Sequence, residues 1–256
     1  MRGEMPWKWL KRSARRVHRD LTSTTSFVRM TLEGNKVERI TDFTRCDHPV
    51  LLLYGFGATR RSFSILERRL RKDGFCVFSI NLGGILDTFN TRCIEDLAEF
   101  VKNKIERLCA RYNLGKISII GHSKGGLIGR YYVKRLKGHK RVKNLITLGT
   151  PHNGNPWALL GAFSPLGLFS RSVWQMVPMS PFIRRLKQGP FPKEVRFVSI
   201  YSKNDKVCFY TSAILDTNNS EGNIKNIELP GLNHADYVIR KSAYEVIRRE
   251  LLAGDT

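Results

Sequence analysis

The chain has 256 residues, 41% of them hydrophobic, which is too apolar for a disordered chain and suits one large domain better than two small ones. Its 44 Lys and Arg against 22 Asp and Glu give a formal charge of +22, an excess that attracts the phosphates of nucleic acid or anionic lipid and says nothing about fold. There is no apolar stretch of the roughly 7–15 residues that a secretory signal needs, nor of the roughly 18 that span a membrane, so a cytoplasmic protein, free or peripheral on a membrane, is the expectation.

In chain order, residues 1–25 come first as a basic arm: Arg2, Lys8, Lys11, Arg12, Arg15, Arg16 and Arg19 stand against Glu4 and Asp20. With Trp7, Trp9, Leu10 and Val17 interspersed, the arm reads as a basic amphipathic helix or a disordered extension, and one use for it is to lie on an anionic membrane. The domain itself is expected over 26–256. It starts with a predicted hairpin, in which the runs 27–32 and 36–40 flank Glu33-Gly34-Asn35. Apolar β runs follow at 49–54, 76–80, 116–120, 142–148, 195–200 and 224–229, alternating with helix-like segments near 60–73, 93–113, 125–137 and 240–252. The segment 93–113 carries Ile94, Leu97, Phe100, Val101, Ile105, Leu108 and Cys109 at helical spacing. Such alternation predicts an α/β fold, a mostly parallel sheet covered by helices on both faces.

One stretch breaks the rhythm. Residues 153–192 hold no Asp or Glu and carry many large apolar side chains, among them Trp157, Leu160 and Phe163, and read as an insertion over the top of the sheet. Five cysteines, at 46, 76, 93, 109 and 208, show no metal-site spacing. Cys76 lies in the apolar run Phe75-Cys76-Val77-Phe78 and is expected as a buried reduced thiol; pairing between two of the others is left open, and a reducing compartment is favoured.

The strongest motif is Gly121-His122-Ser123-Lys124-Gly125, a G-x-S-x-G sequence standing after one predicted strand and before a helix. A serine hydroxyl becomes a useful nucleophile only when held exposed beside a base, and a sharp strand-to-helix turn does the holding. In that arrangement an acid and then a histidine follow the serine along the chain. His234, in the loop 230–236 after the last β run, is the expected base. Asp205 follows the run 195–200 and is the expected acid, with Asp216 and Glu221 as competitors that follow no strand directly. Backbone N–H groups of Lys124 and of Phe56, in the glycine-rich turn Tyr54-Gly55-Phe56-Gly57, are the candidate oxyanion donors.

These residues, with His48–Gly57, Ile120–Gly126, Leu148–Gly154, Asn204-Asp205 and Gly231–His234, resemble the bacterial triacylglycerol lipase and esterase group of α/β-hydrolases across roughly 48–252. The resemblance implies the α/β-hydrolase fold with an apolar lid at about 153–192, and hydrolysis of acyl esters or lipids through an acyl-enzyme, without metal or cofactor. Relatives usually carry His-Gly where Tyr54-Gly55 stands and Gln or Met in place of Lys124, so Tyr54 and Lys124 are expected to alter the pocket's shape or charge. Tyr54, Trp157, Leu160 and Phe163 are the candidate substrate contacts. The same machinery would serve an acyl-thioesterase, a phospholipase or an acyltransferase. The rival of a different class is a non-catalytic basic protein bound to membrane or nucleic acid, although no helix-turn-helix or RRM signature is present and nucleic acid is the less expected partner.

Overall fold

The structure is a computed structural model that describes residues 6–36, 41–83, 90–165, 167, 170–218 and 222–253, with side chains from residue 17 onward. Six parallel strands form one sheet in the order β2-β1-β3-β4-β5-β6: β1 Pro49–Leu53, β2 Cys76–Ser79, β3 Ile117–His122, β4 Val142–Leu148, β5 Arg196–Tyr201 and β6 Ile224–Glu228. All of β1 and β3 is buried, which is why these strands read as unbroken apolar runs rather than as alternating ones. Helices α3 (Ile94–Tyr112) and α4 (Lys124–Arg135) pack together, while α2 (Ser64–Lys72) packs with the last helix, Lys241–Leu252. The strand order reverses between β1 and β3, so the crevice beyond their carboxyl ends is where a parallel sheet of this kind offers a ligand site.

Two expectations are corrected. Residues 27–32 are not the first strand of a hairpin; they end a helix, α1 (Pro6–Leu32), which also runs through the expected arm boundary at residue 25. Residues 37–40, most of the second hairpin strand, lie outside the described residues. The sequence Thr22-Ser23-Thr24-Thr25 favours strand, yet the hydroxyls of Thr22, Thr24 and Thr25 donate to carbonyls four residues back, at 2.7, 2.8 and 2.9 Å. Ser23 and Met30 are buried and Phe27 packs on the core, a 4–3 spacing that fits a helix face and no strand. The helix is fastened at both ends of its described part. Arg61 pairs with Glu33 and the Thr59 hydroxyl donates to the Thr31 carbonyl at 3.0 Å, while Asn233 and Arg240 donate to the carbonyls of Asp20 and Arg19.

The second correction concerns Cys76, which is not a free thiol: it forms a disulfide with Cys46 and ties the segment before β1 to edge strand β2. Cys93, Cys109 and Cys208 are free. Among the described residues between β4 and β5 stand the short helices Pro156–Ala162, Arg171–Met176 and Pro181–Lys187, inside the stretch expected as an insertion. No helix among the described residues is long and apolar enough to cross a membrane.

Candidate active site

Ser123 sits in the bend between β3 and α4 with φ 54° and ψ −126°, a conformation that a non-glycine residue holds only where its surroundings over-determine it. They do so by contact. A Cβ on Gly125 would lie 2.0 Å from the Leu53 carbonyl oxygen, so only glycine lets the start of α4 lie against β1. The Ser123 N–H donates to the Leu148 carbonyl at 2.9 Å, which fixes the bend to β4.

Asp205 is buried just beyond β5. Its Oδ1 accepts the N–H groups of Val207 and Cys208 at 2.8 and 2.9 Å, and its Oδ2 lies 2.8 Å from His234 Nδ1. The carboxylate thus orients the imidazole and holds the Nδ1 proton, leaving Nε2 free to accept one. Gly149, at φ +50°, makes room for the pair, since a Cβ there would come within 2.9 Å of Asp205 Oδ2 and 3.2 Å of His234 Nδ1. The competitor Asp216 is exposed and accepts from the Asn218 N–H instead, and Glu221 lies outside the described residues.

Ser123 and His234 line one cavity of about 240 Å³, together with Phe56, Gly55, Trp157 and Phe27. Of the residues expected to touch substrate, Trp157 is therefore at the cavity, half exposed, with its indole N–H donating to the Lys206 carbonyl at 2.8 Å. Tyr54 is not. It is fully buried, its hydroxyl accepting the Leu82 N–H at 2.7 Å and donating to Asn81 Oδ1 at 3.2 Å, so it pins the loop after β2 and does not shape the pocket. Leu160 and Phe163 do not line the cavity either; they stand 64% and 78% exposed on the inserted segment.

His122 and Phe27, which the sequence did not single out, also stand here, and Lys124 makes side-chain contacts that its motif did not announce. His122 is buried, its Nε2 donates to the His234 carbonyl at 2.9 Å, and burial, reinforced by the neighbouring His234, pushes its pKa down to about 3. It is a neutral strut under the loop that carries His234. Phe27 brings α1 to the cavity wall, 5.7 Å from the His122 ring, although nothing in the first 47 residues belonged to a recognisable motif. Lys124 matters through its side chain as well as its N–H. Its ammonium is fully buried and donates to the Asn90 carbonyl, to Asn90 Oδ1 at 2.9 Å and to Ser172 Oγ at 2.8 Å. Asn90 in turn donates to the Gly55 carbonyl at 3.2 Å. The network thus joins the inserted helix Arg171–Met176 to the turn that carries Phe56, and burial lowers the Lys124 pKa to about 7.

A family profile described as the alpha/beta hydrolase fold matches residues 48–174. Solved structures agree on the architecture. The mature form of Bacillus licheniformis lipase BlEst2 superimposes with a TM-score of 0.66 at 16% identity, over 85% of this chain and 96% of that one. Aspergillus fumigatus lipase B does so with 0.65 at 18%, over 82% and 54%. The chain has the α/β-hydrolase fold. Among curated proteins, triacylglycerol lipases of Pseudarthrobacter phenanthrenivorans and Burkholderia plantarii are each 31% identical over 119 residues, 43% of this chain. The match spans 35% and 31% of those relatives' own lengths. The profile match includes β1, the turn Tyr54-Gly55-Phe56-Gly57 and the bend at Ser123.

Proposed function

We propose that the protein is a serine carboxylic-ester hydrolase acting on acyl esters. The observation that carries the reading is the 2.8 Å contact of His234 Nδ1 with buried Asp205, on a histidine that shares its cavity with Ser123. In the reaction, His234 Nε2 takes the proton of Ser123 Oγ as that oxygen attacks the ester carbonyl. The Phe56 and Lys124 N–H groups stabilise the oxyanion. His234 then gives the proton to the leaving alcohol, and water, deprotonated by the same nitrogen, releases the carboxylic acid from Ser123. An apolar cavity wall (Phe27, Phe56, Trp157, Val173 and Met176) supports an acyl chain as the part recognised, and homology to triacylglycerol lipases supports the same class. Thioester hydrolysis or transfer to an alcohol would use the same atoms and differ in the acceptor. Labelling with a fluorophosphonate probe, followed by p-nitrophenyl esters of rising chain length, tests the reading: Ser123 should carry the label, and a protein neither labelled nor active on any ester would end it.

A second observation supports work at a lipid surface. On α1, Val17, Leu21, Val28 and Leu32 form one exposed apolar stripe, and Leu160, Phe163 and Met179 are exposed on the inserted segment. With the +22 charge, this fits an anionic membrane better than nucleic acid. Sedimentation with anionic vesicles should be strong at low salt and weaken at high salt, and neutral vesicles should bind poorly. A protein that stays in solution with anionic vesicles at low salt overturns this part.

A further inference from the structure

A second cavity, of about 400 Å³, opens at the edge of the sheet and shares no lining residue with the cavity of Ser123. That volume falls in the range of small-molecule sites, roughly 300–1,000 Å³. One wall is α3, which presents Lys104, Arg107, Leu108 and Arg111 to it. These residues are three, four and seven positions apart and so share one helix face, where like charges repel. None of the three cations has a carboxylate partner among the described residues. Lys104 lies over the Phe100 ring and Arg111 over the Tyr112 ring, at 5.5 and 5.3 Å. The opposite wall adds Arg60, bonded to Ser79, and Arg71, bonded to Glu67. Glu67 is the one carboxylate at this cavity among the described residues, and Arg71 already takes it. The floor is aromatic: Phe43 packs on Phe78 and Tyr112 with ring centroids 5.4 and 5.1 Å apart.

We propose that this cleft binds a phosphate monoester of an apolar or aromatic alcohol. The dianionic head neutralises Lys104, Arg107 and Arg111, which have no carboxylate partner among the described residues, and guanidinium groups suit its tetrahedral oxygens. The organic part covers the rings, which a bare inorganic ion would leave wet. Both halves of the ligand are needed, and this distinguishes the cleft from a merely basic surface. Two sources carry this chemistry, a soluble aromatic phosphate and the phosphatidic acid of a membrane. The site does not depend on the reaction proposed for Ser123.

The probe is 2-naphthyl phosphate, titrated by its fluorescence at low salt into the Ser123→Ala protein, so that the catalytic cavity cannot turn it over. One equivalent should bind, with 2-naphthol and inorganic phosphate each at least about tenfold weaker, as expected when charged hydrogen bonds and apolar contact both contribute. Lys104→Glu/Arg107→Glu should lower the affinity by about tenfold or more. Lys116→Glu/Lys140→Glu, with the same change in net charge away from the cleft, should not. The milder Lys104→Gln/Arg107→Gln pair serves if the reversed protein fails to fold. Vesicles of phosphatidylcholine doped with phosphatidic acid or with phosphatidylglycerol separate the sources. Binding to the first alone, lost in the Lys104/Arg107 variant, marks the membrane lipid; binding of the naphthyl ester without vesicle binding marks a soluble phosphate. Equal affinity of the cleft and control variants, or binding of inorganic phosphate as tight as that of the ester, overturns the proposal.

Discussion

The bend at Ser123 and the inserted helices that face it across the same cavity are held by opposite means. The bend is fixed by close approach of its backbone: Gly125 lies against the β1 backbone, Gly126 against the Thr150 side chain, and the Ser123 N–H is bonded to the Leu148 carbonyl of β4. The inserted helices are seven, six and seven residues long and leave Leu159, Leu160, Phe163 and Trp174 substantially exposed. They are fastened by a few polar contacts, such as Lys124 to Ser172, Gln175 to the Ile94 N–H at 2.7 Å and Trp157 to the Lys206 carbonyl. The difference assigns tasks. On the proposed reaction, chemistry that tolerates little displacement would sit where the backbone leaves no choice, and substrate selection where side chains can be exchanged at little cost in stability.

The comparison is sharpened most by removing the reacting atom. Ser123→Ala should cut ester hydrolysis by about 10⁴-fold or more, because the members of such a triad act as a unit, and Asp205→Asn should fall steeply as well without unfolding. Substantial hydrolysis by the alanine protein, or a steep loss on Asp216→Asn instead, would break the assignment. Next is Gly125→Ala, whose added carbon meets the Leu53 carbonyl oxygen at 2.0 Å. It should cost about 4 kcal/mol or more, or abolish folding, in chemical denaturation. A well-folded variant with a small loss would mean that the bend yields more readily than the contacts say.

Lys124 belongs to both regions, so its removal probes their connection. Lys124→Met should lower kcat/KM by about tenfold, because the inserted helix and the Phe56 turn lose a shared anchor. It also carries a pH signature. The folded pKa of about 7 lies below the ordinary 10.5, so the unfolded chain binds the extra proton between those values and stability rises with pH across that window. The wild-type protein should therefore gain stability relative to Lys124→Met as pH climbs from about 7 towards 10.5. Parallel pH–stability curves for the two proteins would show that the ammonium is not held as described. The smallest effect is expected on the exposed part of the inserted segment. Replacing Leu160 and Phe163 with serine should leave stability within about 0.5 kcal/mol, as for surface sites, and lower activity on long-chain esters several-fold more than on acetates. Equal losses on both would remove these side chains from substrate selection.

What the sequence determined by itself was whatever is encoded within a few residues. The six strands were legible because a strand buried on both faces is an unbroken apolar run, and Ser123 because its bend demands glycines at fixed offsets. Asp205 and His234 were legible as the acid and histidine that follow strands in the right order. Only the tertiary structure decided the rest, since it turns on partners distant in the chain. The run 27–32, expected as a strand, became the end of a helix because Ser23, Phe27 and Met30 found a shared face to bury. Cys76 met Cys46 across 30 residues, and Tyr54 turned away from the pocket towards Asn81 and Leu82. His122 and Lys124, neighbours of Ser123 in the motif, took their contacts from the His234 carbonyl and from Asn90 and Ser172, groups that no local pattern could have placed beside them. A motif of five residues specifies a backbone turn, whereas a buried polar side chain is specified by whichever acceptors the completed fold brings within about 3 Å of it.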